Sequence, residues 1–313
     1  MSQKNKMIIL TGPTAVGKTA LSIALARSVG GEIISADSMQ VYKYMDIGSA
    51  KISTEEMQGI PHHMIDVLMP EEEFNVCCFK KMAKEALAGI YERGHVPVVA
   101  GGTGFYIQAL LYDIDFSAEE EHLEVRRRLE EIGAEKGGNY LHERLQMIDP
   151  VSARLIHPNN VKRVIRALEF HELNGYPISQ HNQNQRQKKA AYDHCYFVLN
   201  DDRAVLYQKI DERVDAMLDR GLVKEVEALK ERGYHKDMVS MQGLGYKEIL
   251  AYLDGECSFD EAVYLIKRDT RRFAKRQLTW FRREENVIWI NKPDFDYDDG
   301  KILNYMISKY EML

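Results

Sequence analysis

The run Gly12-Pro13-Thr14-Ala15-Val16-Gly17-Lys18-Thr19 sets two glycines with four residues between them and follows them with Lys and Thr. Such a loop turns successive backbone N–H groups toward one point, and the helix start behind it adds partial positive charge there. Lys18 supplies a full charge, and the Thr19 hydroxyl suits a Mg²⁺ ion held against phosphate oxygens. The chemistry is the grip of a phosphate chain. A kinase, a nucleotide switch and a transferase that expels diphosphate all use it.

Three further positions carry chemistry. Asp37, followed by Ser38, closes the apolar run EIISA. A carboxylate at a strand end can organise a metal, act as a general base, or simply cap a helix with its neighbour. Gly101-Gly102-Thr103-Gly104 closes the run PVVA, and its glycines permit close backbone approach to a ligand. Arg213 falls on the helical stripe of Leu206, Ile210, Val214 and Met217. A guanidinium on an apolar face requires an anion, either a carboxylate or a bound phosphate. The pair His62-His63 is read as a loop hydrogen bond rather than a metal site, because no third ligand accompanies it.

A different signal lies near the end of the chain. Residues 262–283 hold eight basic residues and one acidic. On a helical wheel Lys267, Arg268, Arg271, Arg272, Lys275, Arg276, Arg282 and Arg283 share one half. Ile266, Phe273, Ala274, Trp280 and Phe281 share the other. The lack of nearby acidic residues points to a polyanion partner. Lys162, Arg163 and Arg166, and the run Arg126-Arg127-Arg128, add separate basic clusters suited to a folded nucleic acid.

The elements that must position these groups follow from hydrophobic patterning. MIIL (7–10), EIISA (32–36), PVVA (97–100), CYFVL (195–199) and VIWI (287–290) read as strands covered on both faces. Helical patterns lie between them, as at 18–29 and 78–93, and Asp201 or Asp202 is placed to cap a helix carrying Arg213. Alternating strand and helix predicts an α/β fold with a parallel sheet. The alternation stops between about 116 and 191, where a charged helical segment predicts an inserted all-α domain. The expected division is 1–116 with 191–313 as the phosphate-binding core, and 117–190 as the insertion.

Composition narrows the class. The chain has 313 residues, is 45% apolar and 29% charged, and carries a net charge of −6, so it is not basic throughout. No apolar run approaches ~18 residues, the length of a membrane span. Cys77, Cys78, Cys195 and Cys257 show no paired spacing, which predicts reduced thiols in a cytoplasmic protein without structural metal.

Read in order, several motifs resemble the bacterial tRNA dimethylallyltransferases, also called tRNA isopentenyltransferases, nearly end to end. They are GPTAVGKT (12–19), DSMQVYKYMDIGSAK (37–51), PHHMID (61–66), GGTGFYIQAL (101–110), NNVKRVIRALE (159–169), RVDAMLDRGLVKEV (213–226), GLGYKE (243–248) and KRQLTWFRR (275–283). The resemblance implies a P-loop kinase-like core whose loop holds the diphosphate of dimethylallyl diphosphate. It implies transfer of the dimethylallyl group to the exocyclic amine of the adenosine 3′ of the anticodon. Under it Asp37 is the base, Lys18, Arg213 and Mg²⁺ on Thr19 stabilise the leaving diphosphate, and Thr103 lines the passage where amine and prenyl carbon meet. It further implies tRNA contacts at Asp37, Ser38, Met39, Gln40 and Thr103, at Arg126, and along Lys162, Arg163, Val164, Ile165 and Arg166. Gln242, Gly243, Gly245, Tyr246 and Lys247, with Arg271, Arg272, Lys275 and Arg276, complete that set. A monomer is expected, with tRNA and dimethylallyl diphosphate as partners, Mg²⁺ as cofactor, and neither membrane nor zinc. A P-loop small-molecule kinase and a tRNA-binding ATPase are the alternatives.

Overall fold

A computed structural model describes residues 5–116, 123–186 and 189–313. The expected start of the insertion at 117 lies outside the described residues. The chain forms two compact units, Met1–Leu111 with Ala191–Leu313, and Tyr112–Ala190.

The first unit runs β1 (Lys6–Thr11), α1 (Lys18–Val29), β2 (Gly31–Ser35), β3 (His62–His63), α2 (Val76–Glu92), β4 (Val96–Gly101) and α3 (Gly104–Leu111). The second holds α4 (Leu123–Ile148), α5 (Pro150–Leu155), α6 (Val161–Asn174) and α7 (Ile178–Arg186). The first then resumes with β5 (Asp193–Asn200), α8 (Arg203–Asp219), α9 (Leu222–Glu231), α10 (Tyr246–Leu253), α11 (Phe259–Phe281), β6 (Ile288–Asn291) and α12 (Asp299–Glu311).

The six strands make one parallel sheet in the order β3-β2-β4-β1-β5-β6. Each of the five apolar runs becomes a strand, because a parallel strand is covered on both faces and needs no polar side. Met7, Ile8, Ile9 and Leu10 are fully buried accordingly. Leu21 and Leu25 of α1, Leu206 and Ile210 of α8, and Ile302 and Met306 of α12 join the main core. Elsewhere Phe79 of α2 stacks on Tyr106 of α3 with ring centroids 4.6 Å apart. The two-residue strand β3 carries no apolar run and is not legible from patterning.

Helix ends follow local chemistry. Asn75 opens α2 by accepting from the N–H groups of Cys77 and Cys78, and Ser258 opens α11 by accepting from Glu261 N–H. The expected cap on α8 differs: Asp202 occupies the cap position without a side-chain bond. Asp201 instead accepts from Asp202 N–H at 2.8 Å and pairs with Lys209 at 2.7 Å.

In the second unit Leu129, Leu141, Leu145, Val164, Ile165 and Leu168 form a separate core. Gly137, at φ 84°, interrupts α4. At Gly138 an added Cβ would lie 2.8 Å from the Pro158 carbonyl oxygen, so the glycine is what admits that backbone.

Register decides where chemistry is possible. Thr11 of β1 sits opposite Gly101 of β4 and Val198 of β5, and Ser35 of β2 sits opposite Ala100. The four strands therefore end at nearly one level. The segments beginning at Gly12, Ala36 and Gly102 leave the same edge of the sheet side by side. Chain order reverses about β1, the switch point at which open α/β sheets bind ligands.

Candidate active site and nucleic-acid interface

The loop after β1 bends sharply. Gly12 and Gly17 have φ 146° and 95°, and Ala15 sits in the left-handed region at 64°. Alternating hand is what turns amides inward into an anion nest. At Gly12 a Cβ would fall 2.5 Å from the Leu199 carbonyl oxygen, so the loop lies directly on the end of β5. Lys18, at the first position of α1, donates to the carbonyls of Gly12 and Pro13 at 3.0 and 2.8 Å. Thr19 is exposed beside it.

Asp37 leaves β2 and turns the chain. Its Oδ1 accepts from the N–H groups of Met39 at 2.8 Å and Gln40 at 3.3 Å. No helix follows, so the capping alternative is realised as a turn. A carboxylate has about four acceptor sites, so these bonds fix the group while leaving capacity for a ligand. Ser38 and Met39 are half-buried. Gln40 receives Ser35 Oγ and donates to the Ala50 carbonyl.

The glycine turn closes over Asp37. Thr103 N–H donates to the Ala36 carbonyl at 3.1 Å. A Cβ at Gly101 would be 2.3 Å from that same carbonyl oxygen, and one at Gly104 would be 2.2 Å from the Trp280 ring. Any side chain at either position would push Thr103 off the end of β2.

Arg213 points from α8 into the same region, and its charge and that of Asp37 both act on Lys18. Removal from water, then repulsion by Arg213, brings the Lys18 ammonium down to about 7, against a smaller upward pull from Asp37. Burial also lowers Arg213, offset by Asp37 and reinforced by Arg220. Two cations and one carboxylate thus share a poorly hydrated space beside the amide nest. A cavity of about 200 Å³ opens there, lined by Thr19, Ala50, Lys51, Arg213, Met217 and Arg220 among others. Arg213 and Arg220 suit an anion and Ile52 and Met217 an apolar tail, with Glu56 the one carboxylate of the lining. No carboxylate cluster capable of holding a metal by itself occurs among the described residues. A hydroxyl beside a phosphate nest fits a Mg²⁺ carried mainly by phosphate oxygens.

Four residues of this site were not singled out from sequence. Arg220 lies two turns beyond Arg213 on the same face of α8, a spacing that marks it. Lys51 is buried and donates to Asp66 at 2.5 Å, Asp46 at 2.6 Å and the Tyr42 carbonyl at 2.7 Å. Glu225 of α9 accepts from three successive N–H groups, of Asp46, Ile47 and Gly48, at 3.0, 2.7 and 3.0 Å. Gln277 of α11 is a polar residue on an apolar stripe, the same signal that marked Arg213.

Tyr246 is a correction to the RNA-contact set. It is fully buried, donates to Glu225 at 2.8 Å and accepts from Ser49 N–H at 3.1 Å. Burial first, then Glu225, holds its phenol far above the usual range. Its ring fills the space a Cβ at Gly48 would need, 2.6 Å away. It belongs to the clamp on loop 46–50, not to a surface. Gly243 is likewise buried against Met39, and Gly245 is buried. Gln242 is exposed, and the Lys247 ammonium lies 3.5 Å from Glu248.

Val164 and Ile165 are the second correction. At 0% and 5% exposure they lie inside the core of the second unit. Arg126 and Arg166 both reach Glu169, at 2.9 and 3.0 Å. Lys162 and Arg163 both present exposed side chains on the same helix.

On α11 the compensating carboxylates that the local sequence lacks come from α8. Arg271 pairs with Asp211, and Lys267 with Asp215 at 2.6 Å. Arg268 and Arg272 share Asp269 at 2.9 and 3.1 Å. Among the described residues no salt bridge holds Lys275 and Arg276 near the end of the helix, or Arg282 and Arg283 just beyond it. A depression of about 390 Å³ there is lined by Arg272, Lys275, Arg276, Thr279, Trp280 and Arg283. Cations around an indole form the kind of platform on which single-stranded bases stack.

His62 and His63 separate as their adjacency requires. His62 Nδ1 lies 2.8 Å from the Ile60 carbonyl. His63 Nε2 lies 2.6 Å from Glu32, a buried carboxylate also held by Arg93 and His95. The Arg93 hydrogen bond, chief among these contacts, brings Glu32 down to about 2.

No helix among the described residues is long and apolar enough to cross a membrane. Residues 40–284 match the family model described as IPP transferase, and 5–68 that described as isopentenyl transferase. A tRNA dimethylallyltransferase of Lachnoclostridium phytofermentans is 60% identical over 302 residues, covering 96% of each chain. The full-length tRNA isopentenylpyrophosphate transferase of Bacillus halodurans superposes with a TM-score of 0.73 at 43% identity. It covers 99% of this chain and 98% of that one. A eukaryotic dimethylallyltransferase captured acting on tRNA superposes with a TM-score of 0.79 at 31% identity, over 92% of this chain and 74% of its own.

Proposed function

The chain belongs to the IPP transferase family, and we propose that it moves a dimethylallyl group from dimethylallyl diphosphate to the exocyclic amine of the adenosine 3′ of the anticodon in tRNA. It is a transferase whose phosphate loop serves a leaving group.

The adenine amine is a weak nucleophile, because its lone pair is delocalised into the ring. Asp37 orients it and accepts its proton as the new nitrogen–carbon bond forms. The allylic carbon–oxygen bond breaks in the same step, and its electron pair leaves with the diphosphate. Lys18, Arg213 and the N–H groups of Ala15 to Thr19 are placed to receive that charge in a poorly hydrated space. Mg²⁺, held by Thr19 and diphosphate oxygens, would add a further positive charge there. Thr103, tied to the strand end that carries Asp37, borders the meeting point of amine and prenyl carbon. The base reaches it by leaving the anticodon-loop stack, which costs a few kcal/mol.

The observation that carries this reading is the mutual influence of Lys18, Arg213 and Asp37 beside the amide nest. A nest with cations alone would suit many phosphate ligands. A carboxylate at the same place would repel diphosphate unless it organises a metal or serves a second substrate, and the family match favours the second.

The test is transfer of labelled dimethylallyl diphosphate to unmodified tRNA with Mg²⁺. Label in the RNA is expected, and Asp37→Ala should lower turnover by ~10²-fold or more while leaving tRNA affinity unchanged. Absence of label together with ATP-dependent phosphorylation of a small molecule would replace this reading by a kinase.

A further inference from the structure

Gln277 is 6% exposed, on the face of α11 otherwise built from Ala262, Ile266, Ala274 and Phe281. Its amide makes two bonds to two different loops. Oε1 accepts from Thr14 N–H, inside the phosphate loop, at 2.9 Å. Nε2 donates to the carbonyl of Gly102, in the glycine turn, at 3.0 Å. The fit admits nothing larger: a Cβ at Gly102 would be 2.2 Å from Nε2.

We propose that Gln277 is a positioning residue that sets the spacing between the diphosphate cradle and the turn bearing Thr103. It thereby holds leaving group and nucleophile in reacting register. The proposal rests on the prenyl-transfer reading above. Each loop has its own anchor on one substrate: Lys18 and the amide nest on the diphosphate, and Thr103 on the amine, with Asp37 on the neighbouring segment to which Thr103 N–H ties the turn. Thr11 Oγ1 donates to the Gly101 carbonyl at 2.6 Å and ties the two strands where they end. Beyond that level, among the described residues, Gln277 is the side chain that bonds to both loops. Only a side chain with an acceptor and a donor at one tip can satisfy both partners. The bond to Thr14 also commits that N–H, so it takes no part in gripping phosphate.

A registry element has a distinct kinetic signature. Each substrate still meets its own intact half-site when the link is cut, so binding survives. The reacting atoms no longer align, and misplacement by ~1 Å can cost ~10²-fold in rate. An interaction realised only in the transition state appears in kcat rather than in KM.

The test compares wild type with Gln277→Met, which keeps bulk and loses both bonds, and Gln277→Glu, which keeps the acceptor for Thr14 and sets an oxygen against the Gly102 carbonyl. Both variants should show kcat reduced ~10- to 100-fold, with KM for dimethylallyl diphosphate and the tRNA dissociation constant within about threefold of wild type. Either variant carries the test if the other fails to fold. In the wild type without substrate, hydrogen exchange at the Thr14 amide should be slow. An active wild type with unaltered kcat in a folded variant overturns the inference. So does a rise in KM at constant kcat, or a rapidly exchanging Thr14 amide. Inactive wild type with both substrates present would instead overturn the prenyl-transfer reading.

Discussion

Lys18 shows how a single residue can be both anchor and sensor. Its ammonium, brought down to about 7 by burial and by Arg213, is only partly charged at neutral pH. Diphosphate favours the charged form, so binding must take up a proton wherever the free amine is neutral. The sign is fixed: affinity for inorganic diphosphate should fall as pH rises through about 7. Calorimetry at pH ~8 in buffers of different ionisation enthalpy should register proton uptake, lost in Lys18→Gln. Binding without proton exchange would show that the ammonium is already fully charged. Lys18 and Arg213 were legible in sequence because each breaks a local pattern, one by motif spacing and one by charge on an apolar stripe. Val164 and Ile165 were misassigned for the converse reason. A helix turns ~100° per residue, so consecutive residues cannot all face one ligand.

Among elements, the clamp on loop 46–50 explains why three distant sequence motifs occur together. Glu225 from α9 and Tyr246 from α10 hold a loop whose next residues, Ala50 and Lys51, wall the cavity beside Arg213. Nothing in the sequence of α9 announces this, since an acidic residue in the first turn of a helix is ordinary. Its partners are backbone N–H groups more than a hundred positions away, invisible to any local pattern. Glu225→Ala strands three N–H groups, and at roughly 1–3 kcal/mol per unsatisfied donor a loss of a few kcal/mol of stability is expected. Urea unfolding checks that value. The displaced wall should also raise KM for dimethylallyl diphosphate, with the rate at saturation less affected. Unchanged stability and KM would show that the loop holds its shape unaided.

At the scale of the whole molecule, the net charge of −6 conceals a division of labour along α11. Lys267, Arg268, Arg271 and Arg272 are paired with Asp211 and Asp215 of α8 or with Asp269, whereas among the described residues no salt bridge holds Lys275 or Arg276. Lys275→Gln with Arg276→Gln should therefore weaken tRNA binding, and each lost phosphate contact should flatten the salt dependence by roughly 0.7–0.9 in log–log slope. Arg271→Gln should change the slope less, because Asp211 already occupies that guanidinium. Filter binding across salt concentrations distinguishes the two, and equal slopes would place the RNA backbone along the entire helix. Patterning predicted the cationic face but not this asymmetry, since Asp211 and Asp215 lie on another helix. Five of the six strands of the parallel sheet were readable, because burial on both faces leaves a continuous apolar run, which the two-residue β3 lacks.

The position of β1 at the centre of the sheet also orders the birth of the protein. The strand is synthesised before the second unit, yet one of its two flanks is completed only by Asp193–Asn200, after that whole unit has been made. Until then the growing chain carries an open strand edge beside Met7, Ile8, Ile9 and Leu10, side chains that are wholly covered once folding ends. The second flank of the central strand thus waits on translation of the insertion, with β6 and the helices from α8 to α12 still to follow.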